Sequence, residues 1–287
     1  MTAYAAEARK VTKRYGSFTA LDKVDITVKR GAVYGLVGDN GAGKTTFLKL
    51  LSGHIYADEG ELTLFGCHSR KDMEEQRRRT GAVIEAPGFY PQISVEKNLE
   101  YYRILKGVPG KRAVDEVLEL VGLAIALIGE PELLILDEPI NGLDPSGIIE
   151  IRNLLQRLSR EKNITIILSS HILTELEQLA TVYGFLTDGK LAEQITAEEI
   201  KEKCSDYIEI NVSEPERYTA VLEKKFHTES YKVLPDKTIH IVNPMMDIGA
   251  YSRLASENRM DISRLERRQV TLEEYYMDLK NGGRKYA

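Results

Sequence analysis

The chain has 287 residues, of which 43% are hydrophobic and 29% charged, and its formal net charge is -5 at pH 7. This composition is typical of an ordinary globular protein with one or two domains, and it excludes the fibrous and the fully disordered classes. The acidic balance argues against nucleic acid as the main partner, and the two cysteines, Cys67 and Cys204, lack the CxxC spacing of zinc sites, which fits a reducing cytoplasm.

The first predicted elements lead into a glycine-rich loop. Val24, Ile26 and Val28 alternate with polar residues, which predicts a half-buried strand. The apolar run AVYGLV predicts a buried parallel strand, and the apolar stripe in TTFLKLLSG predicts a helix that Gly53 closes. A strand, a glycine loop and a helix in this order are what phosphate binding requires.

The loop between that strand and that helix, GDNGAGKT at residues 38–45, matches the phosphate-binding pattern G-x-x-x-x-G-K-[ST]. Its glycines let backbone amides turn towards the phosphates, and the helix presents its positive N-terminal end to them. We expect Lys44 to contact the β- and γ-phosphates and to act in catalysis, and Thr45 to bind Mg2+. The nucleotide-binding residues predicted here are Gly38, Asp39, Asn40, Gly41, Ala42, Gly43, Lys44, Thr45 and Thr46.

Two acidic residues follow a second buried strand, ELLILD. Asp137 ends this strand, and we expect it to complete the Mg2+ site that Thr45 begins. Glu138 points elsewhere, so we expect it to orient and deprotonate an attacking water. The run NITIILSSH predicts another buried strand, and ligands of α/β sheets bind at the carboxyl ends of such strands. The polar region before ELLILD, including VEKNLEYYRILKG and RAVDEVLELVGL, predicts a helical insertion.

The character of the sequence changes at about Lys201. YIEINV and TIHIV alternate like strands with one exposed face, while RYTAVLEKKF and MMDIGAYSRLASEN have helical spacing. These patterns predict a small α+β domain over residues 201–287. His227 and His240 have no ligand-like neighbours in the sequence, so we interpret both as surface or core residues.

The phosphate loop, the acidic pair and their order resemble the nucleotide-binding subunit of an ABC transporter over nearly all of residues 1–200. The resemblance implies an α/β fold, that of the P-loop ABC-type ATPase, with an antiparallel β subdomain and a helical subdomain at about 81–130. It implies ATP and Mg2+ as ligands, with Tyr15 stacking on adenine. It also implies that Asp144 in NGLDP crosses a dimer interface and that His171 contacts the γ-phosphate as a catalytic residue.

One residue departs from the family pattern. Glu85 in TGAVIEAPGFYP stands where the family usually has a glutamine that links the metal and the attacking water to the membrane subunit. A carboxylate cannot donate a hydrogen bond as an amide does, and it adds negative charge near Mg2+. Metal coordination is still open to a carboxylate, so we assign Glu85 to the nucleotide and metal site.

The family's signature motif, a Ser- and Gly-rich segment such as LSGGQ that caps the partner's γ-phosphate, is absent from the sequence. It should lie between VGL and AIAL, at the join of Leu123 and Ala124, and Lys44 to Asp137 is only 93 residues (137 minus 44). Either the segment is deleted, which leaves a subunit that binds nucleotide but cannot cap its partner's, or the protein carries it and the printed sequence lacks it. We favour the second explanation because the motifs on both sides are intact.

The sequence therefore predicts an ATP-hydrolysing subunit that powers an ABC transporter, and residues 81–87 with the C-terminal part resemble exporters of bacitracin and lantibiotics. No stretch reaches the roughly eighteen apolar residues of a membrane span, so we expect separate transmembrane permease subunits. We also expect a homodimer or heterodimer of nucleotide-binding subunits, no nucleic acid, and a cytoplasmic location on the inner face of the cell membrane. Two alternatives stay open, a nucleotide-binding regulatory module without efficient hydrolysis and a soluble ABC ATPase outside transport.

Overall fold

The structure of the protein, a computed structural model, describes residues 3–85, 94–105, 123, 126–203, 206–227, 230–242 and 244–281. The chain divides into two compact units, Met1–Ala197 and Glu198–Ala287. Within the described ranges, no helix is both long enough and apolar enough to cross a membrane.

The first unit combines strands and helices in the way expected of an α/β fold. Its strands are β1 Tyr4–Tyr15, β2 Phe18–Lys29, β3 Val33–Val37, β4 Glu59–Leu64, β5 Thr80–Val83, β6 Leu133–Asp137, β7 Thr165–Ser170, β8 Val182–Thr187 and β9 Lys190–Thr196. Its helices are α1 Lys44–Ser52, α2 Arg70–Arg77, α3 Val95–Leu105, α4 Pro145–Lys162 and α5 Leu173–Glu177.

A six-stranded sheet lies at the centre of this unit, with the strand order β5-β6-β7-β3-β8-β9. Each neighbouring pair is parallel except β8 and β9. The strands β3, β6 and β7 are buried almost throughout, which confirms the prediction from AVYGLV, ELLILD and NITIILSSH. Since these strands are parallel, the residues that follow them gather at one edge of the sheet.

The smaller sheet of the unit is antiparallel, with the strand order β2-β1-β4. Val24, Ile26 and Val28 in β2 are buried, and the polar residues between them are exposed, as their alternation predicts. This sheet is the expected antiparallel β subdomain.

Helix α1 anchors the glycine loop that precedes it. The helix ends at Gly53, whose φ of 85° lies in the left-handed region that closes helices. Its buried face contributes about 1.5–3 kcal/mol for each large apolar side chain that leaves water. The predicted stripe is confirmed, because the buried apolar residues of α1 are Phe47, Leu48, Leu50 and Leu51.

The second unit contains a four-stranded antiparallel sheet and four helices among its described residues. The strands are β10 Asp206–Val212, β11 Tyr231–Val233, β12 Ile239–Val242 and β13 Ile262–Gln269, in the order β11-β12-β10-β13. The helices are α6 Ala197–Lys203, α7 Pro215–Phe226, α8 Ile248–Glu257 and α9 Leu272–Lys280. Residues Ile208 and Ile210 of β10 pack against Tyr218, Leu222 and Leu254 in a core of their own.

The other face of β10 is not exposed, contrary to the expectation from YIEINV. Glu209 is only 7% exposed, because Arg264 of β13 lies 2.8 Å from its carboxylate and Arg268 lies 3.4 Å away. The ring of Tyr207 lies 4.5 Å from the ring of His240. Long side chains of the neighbouring strands therefore cover this face, an effect that alternation along one strand cannot reveal.

The helical insertion is only partly described. Helix α3 confirms the helix expected in VEKNLEYYRILKG. The segment RAVDEVLELVGL lies outside the described residues except for Leu123, as does Ala124 at the join. Close after the join, Ala126 packs so tightly on β5 that a Cβ at Gly81 would lie 2.1 Å from the Ala126 carbonyl oxygen.

Candidate functional site

The glycine loop connects the buried end of β3 to the first turn of α1. Gly41 and Gly43 have φ values of 83° and 104°, a conformation that side chains with a Cβ rarely adopt. A Cβ at Gly43 would also lie 2.6 Å from the carbonyl oxygen of Ala20. The loop is therefore wrapped tightly against its surroundings, and only glycine fits at position 43.

The ammonium group of Lys44 crosses back over this loop. Its Nζ donates to the carbonyl oxygens of Gly38 at 2.7 Å and Asp39 at 3.2 Å, and it lies 3.7 Å from Glu138 Oε1. The side chain is only 6% exposed. A cation held in this way is positioned before any anion arrives, which lowers the entropic cost of binding one.

Asp137, the last residue of β6, is held by hydroxyl groups from two neighbouring elements. Thr45 Oγ1 of α1 donates to Asp137 Oδ2 at 2.8 Å, and Ser169 Oγ of β7 donates to Asp137 Oδ1 at 2.6 Å. Both carboxylate oxygens are thus engaged, and each bond to the ionised group is charge-assisted. The side chain is fixed at the carboxyl edge of the sheet.

Glu138 turns away from β6 with a φ of 49°, in the left-handed region. Its backbone N–H donates to Ser169 Oγ at 3.0 Å, which helps to hold this unusual conformation. Its carboxylate lies 2.7 Å from His171 Nδ1 and faces Lys44 on the other side. The left-handed turn therefore points Asp137 and Glu138 in different directions and brings Glu138 between a histidine and a lysine.

The oxygen donors of Thr45 and Asp137 fit Mg2+, which favours a hydroxyl and one or two carboxylates together with phosphate oxygens. The described residues contain no cluster of three or more His, Cys, Asp or Glu side chains that could hold a metal alone. Mg2+ sites with few protein ligands commonly use oxygen atoms of a bound phosphate as well.

The structure brings five of the predicted residues into one contact network, Lys44, Thr45, Asp137, Glu138 and His171. Three others have contacts elsewhere. Tyr15 is 48% exposed at the end of β1, with Lys13 Nζ 5.5 Å from its ring centre. Glu85 pairs with Lys49 at 2.6 Å.

Asp144, the third residue outside the network, caps the N-terminus of α4. Its carboxylate accepts from Ser146 Oγ at 2.6 Å and from the Gly147 N–H at 3.0 Å. The hydrogen bond from Ser146 has the largest effect, and together with the one from Gly147 it holds the pKa of Asp144 below its usual range.

Two residues of the site were not predicted from the sequence. Ser169 contacts both acidic residues, and the signal for it was the pair of polar residues that ends NITIILSSH beside ELLILD. Lys49 contacts Glu85, and it lies one helical turn after Thr45 on α1. Both contacts join elements that are distant in sequence, so spacing alone does not reveal them.

Comparison with known proteins shows which proteins this chain resembles. The sequence profile of the family "ABC transporter" matches residues 21–141. The bacitracin transport ATP-binding protein BcrA of Bacillus licheniformis is 38% identical, over 95% of this chain and 96% of its own length. The lantibiotic transport ATP-binding protein SrtF of Streptococcus pyogenes is 37% identical, over 64% of this chain and 87% of its own.

A solved structure shares the fold. It is a dimeric ATP-binding cassette in a post-hydrolysis state with bound ADP and Pi, and it matches 67% of this chain and 98% of its own with a TM-score of 0.62. The identity is 21%, so this likeness concerns the fold alone.

The match with BcrA is longer than the chain itself. The alignment runs over 294 positions, but it covers only about 273 residues of this chain, which is 95% of 287. About 21 positions of BcrA are therefore aligned with no residue of this chain. The match with SrtF runs over 204 positions and covers about 184 residues, which is 64% of 287, so the difference is again about 20. Both relatives therefore contain residues that this chain lacks.

We expect Ser169→Ala to destabilise the nucleotide-free protein, because it leaves the Glu138 N–H and Asp137 Oδ1 without their buried partner. The free energy of unfolding in urea should fall by about 1–3 kcal/mol. MgATP should also stabilise this variant less than it stabilises the natural protein.

Ser170→Ala is the matched control, since Ser170 is equally buried but accepts from the Ile172 N–H at 2.9 Å instead. It should keep the full stabilisation by MgATP. An unchanged unfolding free energy for Ser169→Ala, with full stabilisation by MgATP, would contradict the position assigned to Ser169.

Proposed function

The chain belongs to the family of ABC transporter ATP-binding subunits, and we propose that it drives the export of an antimicrobial peptide of the bacitracin or lantibiotic class. It binds nucleotide and is an ATPase of the P-loop type, as members of this family are. The match with BcrA supports the proposed substrate class, because it covers 95% of the chain and therefore includes most of the second unit.

We propose that the glycine loop holds the phosphates of ATP. Backbone N–H groups at the start of α1 face the β-phosphate, and Lys44 contacts the β- and γ-phosphates. The position of the Lys44 ammonium over the loop supports this role. Tyr15 stacks on the adenine ring, and its 48% exposure at the end of β1 supports this role.

Thr45 and Asp137 are the residues that would hold Mg2+, with Glu85 as a further carboxylate of the site. When bound, the metal offsets the charge of the phosphates and orients them. The fixed hydroxyl and carboxylate at the edge of the sheet support this assignment.

Glu138 is the proposed base that orients the attacking water and accepts its proton. His171 Nδ1 holds the Glu138 carboxylate at 2.7 Å, and this contact leaves Nε2 of the imidazole available to the γ-phosphate. Glu138 thus stands between the group that orients it and the lysine that binds the phosphate.

The subunit acts as one half of a nucleotide-binding dimer, a homodimer or a heterodimer, in which Asp144 lies at the interface. Separate transmembrane permease subunits carry the transported peptide and hold the dimer on the inner face of the cell membrane. The dimeric cassette with the same fold supports the dimer, and the name of BcrA, a transport ATP-binding protein, supports the permease.

A complete cycle in such a dimer needs the signature segment that the printed sequence lacks. The positions of BcrA and SrtF that face no residue here, about 20 in each, are on the order of one loop and most of one helix. Their number supports the interpretation that a segment is missing from this sequence.

Replacing Glu138 by Gln should abolish turnover without abolishing binding. In the presence of its permease partner, we expect ATP hydrolysis to fall about a hundredfold or more, because the amide cannot accept the proton of water. ATP-dependent uptake of bacitracin into inverted vesicles should fall with it, while equilibrium binding of ATP stays.

Glu202→Gln, at an exposed position of the second unit, serves as the control and should hydrolyse ATP normally. Unchanged transport with Glu138→Gln would defeat the proposed role of this residue. If ATP hydrolysis is normal but is neither stimulated by bacitracin or lantibiotics nor dependent on them, only the proposed substrate class would be wrong.

The intact mass of the natural protein distinguishes the two explanations of the join. We expect a mass above the 32.3 kDa of the printed sequence, by the mass of the capping segment. A measured mass of 32.3 kDa would show a true deletion, and the protein would then need a partner subunit to supply the cap.

A further inference from the structure

An ion pair connects helix α1 to the residue that departs from the family pattern. Lys49 Nζ donates to Glu85 Oε1 at 2.6 Å, which is short for a charge-assisted hydrogen bond. The Lys49 side chain is 28% exposed and that of Glu85 is 65% exposed. The pair joins residues that are 36 positions apart in sequence, so it is a contact of the fold rather than of one helix.

The backbone at Glu85 is as unusual as that at Glu138. Glu85 has a φ of 60° and Glu138 a φ of 49°, and both values lie in the left-handed region that glutamate rarely adopts. The two residues follow β5 and β6, which are parallel neighbours in the sheet. The same edge therefore carries two carboxylates on backbones that are held in a costly conformation, a feature that functional sites often show.

The carboxylates at this edge of the sheet carry negative charge that the ammonium group of Lys49 can partly offset. Asp137, Glu138 and Glu85 add negative charge to a site proposed to bind the phosphates of ATP. Lys44 is already engaged with two loop carbonyls, whereas Lys49 lies one turn further along α1, on the same face as Thr45. Its ammonium group can offset the charge of the Glu85 carboxylate, a charge that the family's usual glutamine does not carry.

The exposure of the pair argues against a role in folding. Exposed ion pairs contribute little to stability, because water screens the charges and two flexible side chains must be ordered. The main effect of the contact is therefore to set the position of the Glu85 carboxylate and to reduce its effective negative charge.

We propose that Lys49 is a positioning residue for Glu85. It draws the Glu85 carboxylate to the face of α1 that carries Thr45, and it neutralises this carboxylate beside the nucleotide. The proposal rests on the proposed function, since it concerns the same ATP site.

A double-mutant cycle tests the coupling of the two residues. The variants are Lys49→Met, Glu85→Gln and the two together, and the measurement is the affinity for N-methylanthraniloyl-ATP by fluorescence, in EDTA and again with Mg2+. Binding in EDTA needs neither the metal nor turnover. We expect Lys49→Met to weaken binding about threefold or more in the presence of Glu85, and by less than about twofold in the Glu85→Gln background.

Equal losses in both backgrounds would overturn the proposal, because a lysine that acts only through packing or through its own charge has the same effect with and without Glu85. No loss in either background would overturn it as well. Lys49→Arg should restore binding to within about twofold of the natural protein, since a guanidinium also pairs with a carboxylate. Failure of the natural protein to bind ATP would instead contradict the proposed function itself.

The second unit offers a matched control. Lys225 and Glu257 form an exposed lysine–glutamate pair between α7 and α8. Lys225→Met and Glu257→Gln remove the same groups from this pair, and neither should change the affinity for the nucleotide.

Discussion

The geometry of the site depends on one carboxylate and the two hydroxyl groups that hold it. Asp137 ends a fully apolar strand, and its oxygens accept from Thr45 on helix α1 and from Ser169 on the neighbouring strand. Asp137 is half-buried at the end of this strand, and without such partners its oxygens would lie partly out of water and unsatisfied. The same contacts align the end of the sheet with the start of the helix, so the requirement to satisfy Asp137 also places the phosphate loop. Glu138 depends on the same serine through its backbone N–H.

Much of the fold could be predicted from the sequence, because its signals are local. The apolar runs that became β3, β6 and β7, and the glycine pattern before α1, need no knowledge of distant contacts. The contacts of Ser169 and Lys49 could not be predicted, since each joins elements far apart in the chain. The burial of the polar face of β10 could not be predicted for the same reason. It arises because arginines of another strand, β13, cover Glu209.

The join of Leu123 and Ala124 gives the site its functional limit. The residues proposed to bind phosphate and metal are all present, whereas the segment that would cap a second nucleotide has no counterpart between VGL and AIAL. In such a subunit, the glycine loop and the two acidic residues can be in position before nucleotide binds. A group from outside this sequence is still needed to enclose the γ-phosphate. Lys49 and Glu85 modify the half that is present.

The effect of Mg2+ on ATP affinity is the most direct measure of the role given to Asp137. ATP binding to the natural protein, Thr45→Ala and Asp137→Asn should be compared by calorimetry with Mg2+ and with EDTA. The account predicts that Mg2+ tightens binding to the natural protein and that this gain is lost in both variants, while binding in EDTA persists. Full enhancement by Mg2+ in either variant would contradict it.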